Sequence, residues 1–367
     1  MVCDNSAVIL GPALHAVSGV STHLNMVLGS ALSLNYRLEY FQVGSEGREE
    51  SIFGKSFRLV TSPIWFGLHL ARRRPDIVHL NTSLVPNAYW RDLSYLFIAR
   101  CFGRKVLTQI HGGALPCDFA KNGLTRYLLR WFLTESNVVT VLSSEELVAY
   151  KAFEHRAEVE LVPNAIATDG LMVRRSERTG KHLRLVYVGR IVESKGLFDV
   201  LCGLKLLQAE GVKFDFRVAG SGPDEDEFRR LVSKYGLERL VELLGPVFGA
   251  QKAELWLESD LLLFPTYSEG LPYSILEALA AGCVPVTCSV GGIPDLMEDG
   301  VHGVFVAPRD PHALAQAVKR FAAEPALLES MAVAGRRRVS ERYTVARLAG
   351  DLDGIYSRLL ADEIMIR

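Results

Sequence analysis

The feature that most constrains the fold is an alternation of short runs, apolar at nearly every position, with longer stretches of helical period. Runs of that kind suit strands buried on both faces of a sheet, which then need helices above and below. In the first half of the chain they lie at 7–11, 37–43, 57–60, 76–80, 105–110, 138–142 and 159–162. In the second half they lie at 183–188, 214–219, 241–244, 260–264, 284–288 and 303–306. Strand followed by helix followed by strand is the order of parallel βαβ units. A chain of 367 residues is expected to build two α/β cores of comparable size rather than one. The polar stretch 174–181 has no apolar period and contains Gly180, so it is the best linker. Two doubly wound domains meeting at a cleft are expected, with ligands at the carboxyl ends of the strands.

Three loops at such strand ends carry the chemistry. In the first, the strand Leu261-Leu262-Leu263-Phe264-Pro265 runs into Ser268-Glu269-Gly270-Leu271-Pro272, and a helix follows as far as Gly282. Proline suits a first helical turn and glycine a helix C-cap. A glycine-containing turn feeding a helix start offers backbone N–H groups and the positive end of the helix dipole to an anion. Glu269 and Glu277 flank that point and can hydrogen-bond sugar hydroxyls; a surface glutamate plus a capping glutamate is the bland alternative. In the second loop, Gly189-Arg190-Ile191-Val192-Glu193-Ser194-Lys195-Gly196 follows a strand. Arg190 and Lys195 there can stabilise the charge growing on a departing diphosphate without a metal. In the third, Ser18-Gly19-Val20-Ser21 lies between the first strand and a helix, and a single glycine loop of this kind is weak evidence alone.

These blocks resemble the retaining GT-B glycosyltransferases, in particular family 4 of the sequence classification (glycosyl transferases group 1), and the matching motifs run from about residue 11 to 310. The resemblance implies two Rossmann-like domains, over 1–172 on the acceptor side and 181–344 on the nucleotide-sugar side. It also implies a last helix, 345–367, packing back on the first. By the same resemblance Glu269 contacts the donor sugar, Glu277 the ribose, and the backbone around Gly270 and Leu271 the diphosphate. Arg190 and Lys195 inherit the pyrophosphate role, and Val247, in Leu244-Gly245-Pro246-Val247-Phe248, falls where the backbone meets the base. His111, at the end of the strand through Ile110, matches a histidine that contacts the donor sugar, whereas His79 has a similar position one strand earlier with no role assigned. The family carries two glycines where this chain has Ser18-Gly19, so only Gly19 is carried over as a donor contact.

The expected activity is transfer of a sugar, with retention, from a UDP-sugar or GDP-mannose to a glycan or polyprenyl-diphosphate-linked acceptor in surface polysaccharide or glycolipid synthesis. A nucleotide-sugar epimerase and a non-catalytic nucleotide-sugar-binding subunit are the alternatives. No cofactor is expected, and no metal. Asp224-Glu225-Asp226 matches a D-x-D metal pattern, but acids in a first helical turn are explained by the dipole. A formal net charge of -1 lacks the basic excess of a nucleic-acid binder. Six cysteines without a C-x-x-C pair suit reduced thiols and a cytoplasmic location. No apolar stretch reaches the roughly 20 residues that span a bilayer. The aromatic and basic stretch 122–133 is read either as a peripheral contact with the inner face of the cell membrane or as a helix packed on the first sheet.

Overall fold

A computed structural model describes residues 5–47, 51–168, 171 and 182–364. The expected linker 174–181 lies outside the described residues. The chain divides into two compact units, one built from Met1–Ala165 with Val345–Arg367 and the other from Ile166–Thr344.

The first unit holds a parallel sheet of β1 (Ser6–Gly11), β2 (Arg37–Gln42), β3 (Ile77–Leu84), β4 (Lys105–Gly113), β5 (Val138–Val141) and β6 (Val159–Leu161), in the order β2-β1-β3-β4-β5-β6. Alternate residues of each strand enter cores on opposite faces. Val8, Leu10, Val78 and Leu80 meet Phe66, Tyr95 and Phe132 on one face. Ala7, Ile9, Ile77 and Leu107 meet Leu24, Leu352 and Tyr356 on the other. The helix Val345–Ile364 therefore completes the core of the unit that opens the chain.

The second unit repeats the plan with β7 (Leu183–Val188), β8 (Phe214–Ala219), β9 (Val241–Gly245), β10 (Leu261–Phe264), β11 (Val284–Thr287) and β12 (Val304–Phe305), ordered β12-β11-β10-β7-β8-β9. Successive strands are laid down on one side of β7 and then, starting with β10, on the other. The crossovers after β7 and β10 thus leave the sheet in opposite directions, which opens a crevice at their carboxyl ends. Both loops expected to hold a diphosphate emerge there.

One expected strand is not a strand. Residues 57–60 lie inside the helix Ile52–Arg73, whose N-cap Ser51 accepts a hydrogen bond from Gly54 N at 3.2 Å. A short apolar run cannot distinguish the two periods by itself. The longer segment decides: Phe66 and Leu70, one turn apart, are both fully buried against the sheet. The stretch 122–133 enters the helix Gly123–Glu135, which buries Leu129, Phe132 and Leu133 in the core and leaves Leu124 and Tyr127 exposed.

Candidate functional site

In the second unit, the loops after β7 and β10 are joined residue to residue. Tyr267 N donates to Ser194 O at 2.9 Å, and Thr266 Oγ1 to the same carbonyl at 3.4 Å. Gly196 has φ 72°, and a Cβ on it would stand 2.0 Å from Pro265 O, so only glycine lets the first loop lie on the second. Gly291 does the same from the loop after β11: at φ 56°, its Cβ would stand 1.7 Å from Glu269 O. The turn after β8 braces the cationic loop from below, with Gly189 N donating to Ala219 O and Ile191 N to Ser221 O, both at 3.0 Å. Asp224, first residue of the D-x-D pattern, is taken up in the same bracing: its Oδ2 accepts from Glu193 N at 2.8 Å. Glu225 and Glu227 pair with Arg229 and Arg230 on their own helix.

This zippering brings Lys195 to Glu269, Nζ to Oε1 at 2.5 Å, although the two lie far apart in sequence. Both are largely shielded, at 23% and 13% side-chain exposure, so the pair sits in a medium where charge is felt more strongly than at an open surface. Thr266 Oγ1 adds a longer contact to the same carboxylate at 3.3 Å. Arg190 is exposed and forms no ion pair among the described residues. Its carbonyl, rather than its side chain, is fixed, by Tyr187 OH at 2.6 Å. Just beyond Glu269, Pro272 is the N-cap of the helix Tyr273–Ala281, which closes on Gly282 in the left-handed conformation. The fixed cation, the free cation and the helix start all belong to one strand-end loop pair.

Glu277, on that helix, has both oxygens occupied. Lys252 Nζ reaches Oε1 at 2.6 Å and Trp256 Nε1 donates to Oε2 at 3.0 Å. Lys252 and Trp256 lie one turn apart on the helix Gly249–Glu258 and share a face. Sequence reasoning missed both, and only their helical spacing hinted at a joint role. Val247, in the loop before that helix, is buried, while its neighbour Phe248 is 56% exposed.

The carboxyl end of the first unit's sheet is built differently. Ser18, standing where the family pattern has glycine, is the N-cap of the helix Gly19–Leu28: its hydroxyl accepts from Ser21 N at 3.2 Å and its backbone is extended. The serine is a helix cap, and its conformation needs no glycine. His111 Nε2 lies 2.8 Å from Asn81 Oδ1. Because Asn81 spends its amide nitrogen on Leu10 O at 3.1 Å, its oxygen accepts, and His111 carries its proton on Nε2 with a lone pair on Nδ1. His79 is fully buried, held between Tyr356 OH at 2.9 Å and Gln109 Oε1 at 3.2 Å, and so ties β3 to the last helix. His23, from the helix Gly19–Leu28, packs edge-on against His111 with ring centroids 4.7 Å apart.

All three imidazoles are held neutral. Burial lowers His23 to about 4, opposed by the Gln109 side chain, and burial with the adjacent His23 lowers His79 to about 3. His111 is lowered well below the ordinary histidine value, by burial first and then by His23 and His79. Beyond His111 a groove of about 430 Å³ is lined by Leu84, Trp90, Gly113, Asp118, Phe119 and Thr125, among others. Among the described residues no group of three or more His, Cys, Asp or Glu is placed to hold a metal ion.

Residues 172–338 match the family model described as glycosyl transferases group 1. The matched residues fall within the second unit, Ile166–Thr344. WcaL of Salmonella typhimurium, named as a colanic acid biosynthesis glycosyltransferase, is 32% identical over 46% of this chain and 44% of its own length. A glycogen synthase of Mycobacterium tuberculosis is 27% identical over 74% of this chain and 66% of its own length. The chain thus spans less than two thirds of these relatives. Among solved structures, sucrose-phosphate synthase from Thermosynechococcus elongatus superposes with a TM-score of 0.80 at 16% identity, covering 98% of this chain and 100% of that one. HepE from Anabaena, solved with UDP, gives 0.76 at 14% identity, covering 96% and 100%. The fold is therefore GT-B, with two parallel six-stranded sheets flanked by helices.

Proposed function

We propose that this chain is a member of the glycosyl transferases group 1 and a retaining glycosyltransferase acting in polysaccharide or glycolipid synthesis. Its donor is a nucleotide diphosphate sugar, carrying uridine or guanosine, and its acceptor a glycan or lipid-linked glycan. The observation that carries the reading is the pairing of Lys195 with Glu269 at the start of the helix that bears Glu277. A cation already committed to a carboxylate beside a helix start is organised for an anion before one arrives, which is how a site stabilises charge without reorganising. That HepE was solved with UDP and with UDP-glucose supports the donor class.

In this proposal Arg190, Lys195 and the backbone at Gly270 and Leu271 hold the diphosphate, Glu269 the sugar hydroxyls and Glu277 the ribose, with the backbone at Val247 next to the base. Lys252 and Trp256 position Glu277. Gly19 and His111 are donor contacts offered by the first unit, and the groove beside Gly113 is its acceptor-side candidate. In the reaction, the bond from the anomeric carbon to the phosphate oxygen breaks and its electron pair leaves with the diphosphate. The acceptor oxygen bonds to the same face of the sugar, and its proton passes to the departing phosphate. No metal takes part in the proposed step.

Melting of the full chain with UDP, GDP or ADP tests the reading. One uridine or guanosine diphosphate should raise the melting temperature, because a ligand at about 100 times its Kd stabilises by about 2.7 kcal/mol. Lys195→Ala should abolish the rise. A wild-type chain indifferent to every nucleoside diphosphate would overturn the proposal, and an isomerised sugar formed from donor alone would assign epimerisation instead.

A further inference from the structure

The helix Ile52–Arg73 has two apolar faces. One, through Phe66 and Leu70, is buried in the first unit, and Ser62 Oγ on the same side lies 2.7 Å from Tyr95 OH. The other is open. Phe53, Phe57, Val60, Ile64 and Leu68 recur at helical spacing on it, with Trp65 at its margin. Phe53 is 87% exposed, Phe57 71%, Val60 67% and Ile64 60%. Isolated exposed apolar residues are ordinary, but a continuous stripe of large ones marks an interaction surface.

Charge states what that surface meets. The chain has 42 acidic and 41 basic residues in all, yet 51–75 contains no aspartate or glutamate and carries Lys55, Arg58, Arg72, Arg73 and Arg74. A shallow cavity of about 530 Å³ at the basic end of the helix is lined by Phe41, Trp65, Leu68, His69, Arg72 and Arg73. Glu39 lies beside it, 3.1 Å from His69 and 4.0 Å from Arg73. No described helix is long and apolar enough to cross a membrane.

We infer that the open face of Ile52–Arg73 docks in the plane of an anionic phospholipid bilayer. The aromatic and aliphatic stripe enters the headgroup boundary while Arg58 and Arg72 at its margins, and Arg73 at the end of the helix, meet lipid phosphates. A second copy of the chain fits poorly, because a twofold contact would set this acid-free basic stripe against itself. The stretch 122–133, the sequence-level candidate for such contact, instead spends Leu129, Phe132 and Leu133 on the core. The inference goes beyond sugar transfer and is read without donor or acceptor.

The test is flotation of the full chain with vesicles of phosphatidylcholine alone or mixed with phosphatidylglycerol, at low and high salt. Binding is expected to the anionic vesicles, to weaken with salt, and to fall at least tenfold in Phe57→Glu/Ile64→Glu. In Arg72→Gln/Arg73→Gln it should fall by roughly fivefold per charge removed. All these side chains are solvent-facing, so urea unfolding of the variants should match wild type and exclude misfolding as the cause. Absence of binding to anionic vesicles would overturn the inference, as would undiminished binding by both variants. A wild-type dimer that Phe57→Glu/Ile64→Glu converts to monomer, with no vesicle binding, would give the face to a second copy.

Discussion

The two units end their sheets in opposite electrostatic styles. The first gathers His23, His79 and His111 into a dry cluster in which burial keeps every ring neutral; His79 bonds to Tyr356 and Gln109 and His111 to Asn81, while both ring nitrogens of His23 are buried without a partner among the described residues. The second places full charges in contact, Lys195 on Glu269 between two strand-end loops and Lys252 on Glu277 between two helices. Topology is nearly shared, so the difference comes from depth. Imidazoles borne on strands and on an inward helix face lose their water and their charge, whereas Glu269 and Glu277 each lie against a lysine.

That contrast can be broken or sharpened by experiment. The largest effect is expected for Lys195→Ala, which should slow transfer by about 100-fold or more, as loss of one charge-stabilising donor commonly does. A rate within a few-fold of wild type would mean that the ionic end of the second unit is structural.

The neutral end of the first unit predicts a pH response. His23 and His79 have folded pKa values below the unfolded value of about 6.5. The folded state therefore binds fewer protons, and its stability is fully present above pH 6.5 and lost as pH falls toward their folded values. By pH 5 each should cost on the order of 2 kcal/mol. Urea midpoints of the first unit should drop between pH 7 and 5, and His23→Gln should flatten the curve. A wild-type midpoint unchanged over that range would show that the cluster is not dry.

Gly291→Ala should destabilise the second unit by about 2 kcal/mol, through a strained φ and a clash with Glu269 O, and weaken nucleotide binding with it. Chemical denaturation and the nucleotide melting shift report the two consequences separately. Smallest is Trp256→Phe, which removes one hydrogen bond to Glu277 and should weaken nucleoside diphosphate affinity by about 1 kcal/mol while leaving diphosphate alone bound as before.

Much of this was legible beforehand. Runs such as 7–11 and 183–188 are apolar at nearly every position because both sheet faces are covered, and that pattern survives in the linear text. The turn ending at Gly282 was readable too, since proline and glycine preferences at helix ends are local. The misreading of 57–60 has an equally local cause: four residues of mixed apolar character fit either period, and the helix shows only over a longer window.

What sequence alone determined is the strands of both sheets, with the run 57–60 wrongly added to them, the helix-start turn at Glu269-Gly270-Leu271 and the cationic loop at Arg190–Lys195, because backbone preference and burial act over a few residues. Tertiary structure alone decided that Lys195 grips Glu269, that Lys252 and Trp256 hold Glu277, and that Asn81 fixes the proton on His111. It also decided which face of the helix Ile52–Arg73 is left open. Those partnerships depend on strand order and on which side chains crossovers bring together, and no short-range preference encodes either.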